Sequence, residues 1–526
     1  MARLAQVLAI IVALPAVLPA ALPAGIPAAV PSHSTLWGVE GRAFVPSGPL
    51  PDFSWAGYHG GDRELPSPAP SSNIRDFGAR GDGVSDDTAA FKRALAEAPI
   101  GVLLVPRGRY RIAGALALTR SGQILRGEGS GADGTTLLFM SSLADLRGLA
   151  ELPVSNELSW SGGLIQIQPQ GREANGEQRV GAITMTAHRG DRRLQVANAG
   201  EMHSGDILFL RLNEDPGRTL EQHLLGDPGR QEPAQSSCVS RVLDWTFEVA
   251  AVDGDVLTLT QPLRTDVRLE WAPSVWRMPV IREVGIEHLG IEFPVTVYPG
   301  HHRERGFNGV DFSRNVVDAW IRDVTMHNCD SGVFVGRRSK WLTITGLRFT
   351  SARQPDGHGD RAHHGVALSA CSDVLVADVN FQTDFIHEFT VTHRATGNVF
   401  SGPVLAANLD LDHHRDTPFE NLFQDLAGDV RLQAGGSKCY GPPSGARNTY
   451  WAIDSAVAPP PWLGAGAVVV GGFPLSVQEQ RGPGAWIERV PALQPRDLRA
   501  AQWRRRQAEA GRTVLPAARA GRHPRP

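Results

Sequence analysis

Three short stretches of this 526-residue chain set imidazoles beside carboxylates. They are AHHGVAL, with His363 and His364; DFIHEFTV, with Asp384, His387 and Glu388; and NLDLDHHRD, with Asp410, Asp412, His413, His414 and Arg415. Imidazole titrates near neutrality, so it serves as base or acid there, and an adjacent carboxylate fixes its tautomer. The chemistry implied is proton transfer. His387 or His413 takes the proton, His364 returns one, and Asp384 and Asp412 orient the rings. Arg415, with Arg337 and Lys340 one coil away, brings positive charge to an anionic substrate, and His363, His414, Glu388 and Asp410 complete the lining. The acids alone allow a second chemistry, general acid–base hydrolysis, which needs two carboxyl groups across the scissile bond. As a metal set, Asp384, Asp410, Asp412 and His413 would suit a hard cation. A strand, however, turns His413 away from Asp410 and Asp412. No metal is therefore expected, with calcium left open.

Residues so far apart meet only if the chain repeats. Strand-like runs begin at Ile321, Leu342, Leu375, Val399 and Leu422, at spacings of 21, 33, 24 and 23 residues, and removing the polar loop 352–362 brings the long spacing to about 22. Short β runs at that period, broken by Gly, Asn and Asp, predict a β solenoid whose coils bury their inner faces only by stacking. Aligning Gly332-Val333 with Gly365-Val366 stacks Asp330 and Ser331 under His363 and His364, with His387 one coil on. Asn380, Asn398 and Asn408 fall at coil turns and predict a hydrogen-bonded ladder. Trp320 and Trp341 fall at one phase and read as packing. Trp271 and Trp276 are the better candidates for stacking on a sugar ring.

Lys and Arg number 52 against 55 Asp and Glu, a net charge of −3, which argues against nucleic acid as the main partner. Cys238, Cys329, Cys371 and Cys439 lack metal-ligand spacing and are expected as buried thiols. Residues 1–30 read as a secretory signal, which implies a secreted or periplasmic body with no stable membrane span.

From Asn73 the stretches NIRDFGARGDGVSDDTAAFKRALAEA, GVLLVPRGRYRI and LALTRSGQILRGEGSGADGTTLLF resemble the opening of pectate-lyase-like right-handed parallel β-helix proteins. The resemblance implies an all-β solenoid with a capping helix at Asp87–Ala98, and structural roles for Asp82, Asp86 and Asp87. The organisation expected is an extended leader at 31–72, β-helix at 73–180, a small inserted β domain at 181–267, the main β-helix and C-terminal cap at 268–490, and a basic tail at 491–526. Such a fold offers a long shallow face, suited to a polymer. The expectation is a secreted polysaccharide lyase that cleaves a uronic-acid polysaccharide by β-elimination. A glycoside hydrolase and a non-catalytic carbohydrate-binding β-helix are the alternatives, and homo-oligomerisation is left open.

Overall fold

The computed structural model describes residues 32–152, 156–170, 176–227, 238–406, 408–455, 462–472 and 484–512. The expected signal segment at 1–30 lies outside them.

Each coil of the solenoid contributes one strand to each of two parallel faces. Sheet A runs through Gly285–Glu292, Trp320–His327, Thr343–Thr350, Leu375–Phe381, Val399–Leu405, Leu422–Gln424 and Thr449–Ser455. Sheet B runs through Asn308–Phe312, Ser331–Val335, Ala362–Ser369, Phe385–Thr392, Asn408–His413 and Ala427–Gln433. Apolar residues fill each inward column, so Ile321, Ile344, Val376, Phe400, Phe423 and Tyr450 stack down the axis. Phe400, Phe423 and Tyr450 stack with nearly parallel rings at 5.1 and 5.4 Å between centroids. Each such side chain stabilises the stack by roughly 1.5–3 kcal/mol through burial.

The corners are made by left-handed residues repeated at one height. Within sheet A, His288, Asp323, Gly346 and Asp378 share a column at φ of 56, 52, 67 and 53°. In the turn ahead of sheet A, Glu283, Asp318, Trp341, Asp373 and Glu420 do the same at 58, 51, 58, 55 and 50°. Asp tolerates this region better than most side chains, which explains much of its use here. Trp341 therefore belongs to the turn column, whereas Trp320 pairs with Thr343, and the two are not at one phase as expected. The true step between those coils is 23 residues rather than 21. Of the expected asparagine ladder only Asn398 takes part. It bonds to Asn421, and Asn421 to Asn448, at 2.9 and 3.1 Å. Asn380 lies within a sheet A strand, and Asn408 accepts from Arg431.

The helix Thr88–Glu97 packs Phe91, Ala94 and Leu95 into the core at the N-terminal end, with Phe91 edge-on to Tyr110 at 5.6 Å. Asp87 accepts from Arg80 and Gly81 N–H, and Asp82 from Val84 and Ser85 N–H, so these acids tie turns. The insert is a six-stranded antiparallel sheet that runs from Gln178–Ala182 to Ser274–Arg277, past the expected end at Val267. Its arginines dock it on the turn column: Arg189 pairs with Glu420 at 2.5 Å and Arg264 with Asp373. Cys238 and Cys439 form a disulfide with their Cα atoms 5.7 Å apart, contrary to the expectation of four thiols. That pairing joins positions 201 residues apart, which no coil phase predicts. Cys329 and Cys371 are buried thiols.

Candidate active site

Strand alternation decides which of the chemically able residues share a surface. In Asn408–His413 the side chains of Leu409, Leu411 and His413 enter the core, while Asp412 faces out with His414 beyond it. His413 is thus no base. It lies fully buried against Phe423 and Trp462, hydrogen-bonded to Tyr450 Oη at 2.7 Å, and burial pushes it down to about 4. In Ala362–Ser369 the backbone comes so close to the core at Gly365 that a Cβ there would lie 2.5 Å from the Phe381 ring. His364, just ahead of Gly365, is buried and turned to Thr390 of the next coil. Thr390 Oγ1 duly meets His364 Nδ1 at 2.9 Å.

The expected register holds: Val333 pairs with Val366, and His364 with His387. The result is a continuous histidine cluster. Ring centroids of His363 and His364 stand 4.1 Å apart, those of His364 and His387 5.1 Å, and those of His387 and His414 5.8 Å. The loop between Glu292 and Asn308 adds His301, whose ring meets His363 edge-on at 4.6 Å, with His302 stacked behind it at 3.7 Å. Asn156 holds this loop through the His302 carbonyl at 3.2 Å, and Tyr298 and Ser159 donate to its buried Glu304 at 2.7 and 2.6 Å.

The ring environments differ. Burial, then the neighbouring imidazoles, pushes His363 and His364 well below the usual range and His301 down to about 4. Burial lowers His387 too, against the pull of Asp412. For Asp412 burial works upward, but His387 and the hydrogen bond from His414 outweigh it and hold the carboxyl below the usual range. His414 Nδ1 donates to Asp412 Oδ2 at 2.6 Å, while Gly435 N–H donates to Oδ1 at 2.9 Å. This leaves Nε2 of His414, the more open ring, as the free lone pair. Gly435 has no room for a side chain: its Cβ would collide with Asp412 and lie 2.8 Å from His414 Nδ1.

A second group forms beside the cluster. Asp384, Glu388 and Asn408 line a cavity of about 450 Å³ with Arg361, which bonds Asp384 at 2.8 Å. Burial and the nearby Asp410 push Glu388 up to about 8, although Glu388 accepts from Asp410 N–H at 2.8 Å. Asp384 thus sits apart from Asp412, and the acids and His413 do not assemble as one metal set.

The remaining expected site residues lie elsewhere. Lys340 is fully buried and pairs with Asp373, while Arg337 pairs with Asp244 of the insert at 2.6 Å. Arg337 belongs to the docking of the insert, and Lys340 to the turn column, with the Trp245 ring of the insert 4.7 Å from its ammonium. Arg415 donates to the Gly441 and Gly436 carbonyls at 2.7 and 3.2 Å, so it braces a loop. Trp271 is fully buried in the insert, and Trp276 is stacked with Phe209 and capped by Arg211. Trp271 therefore offers no face to a sugar, and Trp276, half-buried, belongs to the insert rather than to the histidine cluster.

Residues 71–161 match a family described as rhamnogalacturonase A/epimerase, pectate lyase-like. The matched segment is the N-terminal part of the solenoid, with its capping helix. Mannuronan C5-epimerases AlgE1 and AlgE5 of Azotobacter vinelandii are each 51% identical to the chain over 45 residues, 8% of this chain and 3% and 4% of theirs. The chain therefore aligns with only a small fraction of these curated relatives. Among solved structures, the tailspike gp49 of Pseudomonas phage LKA1 has TM-score 0.43 and 15% identity, covering 77% of this chain and 69% of that one. The AlgE6 A-module of A. vinelandii has TM-score 0.35 and 12% identity, covering 80% and 88%.

The family match contains none of the clustered histidines, so the site stands on its own geometry. It does contain Trp160, 43% exposed and edge-on to His302 at 5.4 Å, a flat apolar surface beside the cluster. Trp160, His301, His302 and Glu304 were not among the expected site residues. The doublet His301-His302 echoes His363-His364 and His413-His414, and that echo was the available signal. The irregular loop carrying it has no coil register to place it.

Proposed function

We propose that this protein acts on a uronic-acid-containing polysaccharide by removing the proton at C5, with β-elimination as the outcome. The observation that carries this reading is the His414–Asp412 pair at the open edge of the histidine cluster. Asp412 fixes the tautomer and stabilises the imidazolium that forms, and Nε2 of His414 takes the proton. Gly435 closes over the carboxylate and keeps the pair aligned. Trp160 provides a stacking surface for a neighbouring sugar. The similarity over 45 residues to mannuronan C5-epimerases is consistent with the same first step, since epimerisation and elimination both begin at C5. Export of the chain, the setting such a substrate requires, belongs to the same proposal.

Hydrolysis is the second reading, favoured by Glu388. A carboxyl pushed up to about 8 stays protonated at neutrality, as a general acid must, and Asp384 shares its cavity. Product analysis across uronide and neutral polysaccharides tests the choice. The proposal expects ultraviolet-absorbing unsaturated uronide ends. Saturated reducing ends alone would reject it in favour of the Glu388–Asp384 pair.

A further inference from the structure

We propose that His301, His363 and His387 form a binding site for a divalent transition metal of the zinc class. Each offers one ring nitrogen, and these three atoms lie within 4.8 Å of one another. A small rotation of the rings brings that spacing to the roughly 3.3 Å nitrogen–nitrogen edge of a tetrahedral site with Zn–N of about 2.0–2.1 Å.

Two further observations point to an ion. Both ring nitrogens of His363 and Nδ1 of His387 lack a hydrogen-bond partner, although these residues are only 1% and 5% exposed. Leaving a buried polar atom unpaired costs about 1–3 kcal/mol, so unpaired nitrogens on two neighbouring buried rings call for a physical reason, and a bound cation is one. Glu304 Oε1 then stands 3.0 Å from His363 Nδ1, near enough for attraction though out of line for a hydrogen bond in the ion-free geometry. A carboxylate behind a ligating imidazole is the usual way such a ring is oriented. Glu304 is itself fixed by Tyr298 and Ser159.

The donor set selects the metal. Three imidazoles suit zinc, nickel, copper or iron, whereas calcium and magnesium take oxygen ligands. The same burial that deprives the rings of partners keeps them neutral, the form that ligates. His301 stands at the exposed rim, so a further coordination position faces solvent. His387 also lies within 4.8 Å of the donor atoms of Asp412 and His414, which places the ion one ring from the proposed base. There it would supply the positive charge that a uronate carboxylate needs and that Arg337 and Lys340 do not bring. This role rests on the uronide reading, whereas the binding does not.

The test uses the untagged full chain, stripped with a chelator and titrated with Co2+ and then Zn2+, read by visible absorption and calorimetry. The expected result is one Co2+ per chain with ligand-field bands, displaced by Zn2+ and not by Ca2+. His301→Ala, at the rim, and His363→Ala should weaken binding by more than about 100-fold, beyond the loss of an outer carboxylate. Circular dichroism checks that both variants fold, and His414→Ala should retain the bands. No binding by the stripped chain, preference for Ca2+, or unchanged binding in both variants would overturn the site. A chain that binds Co2+ but turns over no uronide would reject the proposed reaction and leave the metal site standing.

Discussion

Two polar stripes run along this solenoid at the same coil period, and they have opposite characters. In the turn ahead of sheet A, Asp318 meets Arg282, Asp373 meets Arg264 and Lys340, and Glu420 meets Arg189 and Arg447. Each acid is matched, two of them partly by the insert through Arg264 and Arg189, and the stripe is closed. On the outer face of sheet B the residues are mostly imidazoles around one carboxylate, and several ring nitrogens have no partner. Stacking alone therefore does not make a site. A repeating fold stacks polar groups anywhere, and what separates the chemical stripe from the structural one is unspent bonding capacity.

The largest effect expected from breaking this contrast is on turnover. His414→Ala should lower kcat by about 10²–10⁴-fold, the usual contribution of a positioned base, with the melting temperature little changed. Steady-state kinetics and calorimetry together check it, and Asp412→Asn should move the same way. In the closed stripe the reverse pattern is expected. Asp373→Ala leaves Lys340 and Arg264 buried without their partner and should cost about 3–5 kcal/mol in denaturant unfolding, while Co2+ binding by the folded fraction stays intact.

Between the stripes, Glu388→Gln sharpens the choice of reaction. Proton abstraction by His414 predicts a change in turnover of less than about tenfold, far short of the 10²–10⁴-fold that loss of a general acid brings. The smallest effect concerns His413, whose burial holds it near about 4 in the folded chain, against about 6.5 unfolded. The unfolded chain binds more protons between those values, so this residue's contribution to stability is present above about 6.5 and is lost as pH falls toward 4. His413→Phe should flatten that acid limb in melting temperatures measured across the range.

Much of the fold was legible in the sequence because a solenoid is a local repeat. The Gly-Val alignment put His364 on His387, and the helix signal at Asp87 placed Thr88–Glu97. What was not legible came from outside the repeat. Strand parity turns His413 away from Asp412, and the ring lies in the core, hydrogen-bonded to Tyr450. The commitment of Arg337 to Asp244 of the insert depends on docking between segments 93 residues apart, which no coil period encodes, whereas Lys340 is taken up by Asp373 one coil on. The loop that brings His301 and Glu304 over the site, and the segment holding Trp160 beside it, are irregular. Their positions follow from hydrogen bonds such as that from Asn156 to the His302 carbonyl.

The most direct test of the proposed chemistry is to incubate the protein with uronic-acid polysaccharides in deuterated water and follow C5 by nuclear magnetic resonance. Abstraction by His414 predicts unsaturated uronide ends, or deuterium at C5 where the chain stays intact, and neither with His414→Ala. Saturated reducing ends with every C5 proton retained would contradict it.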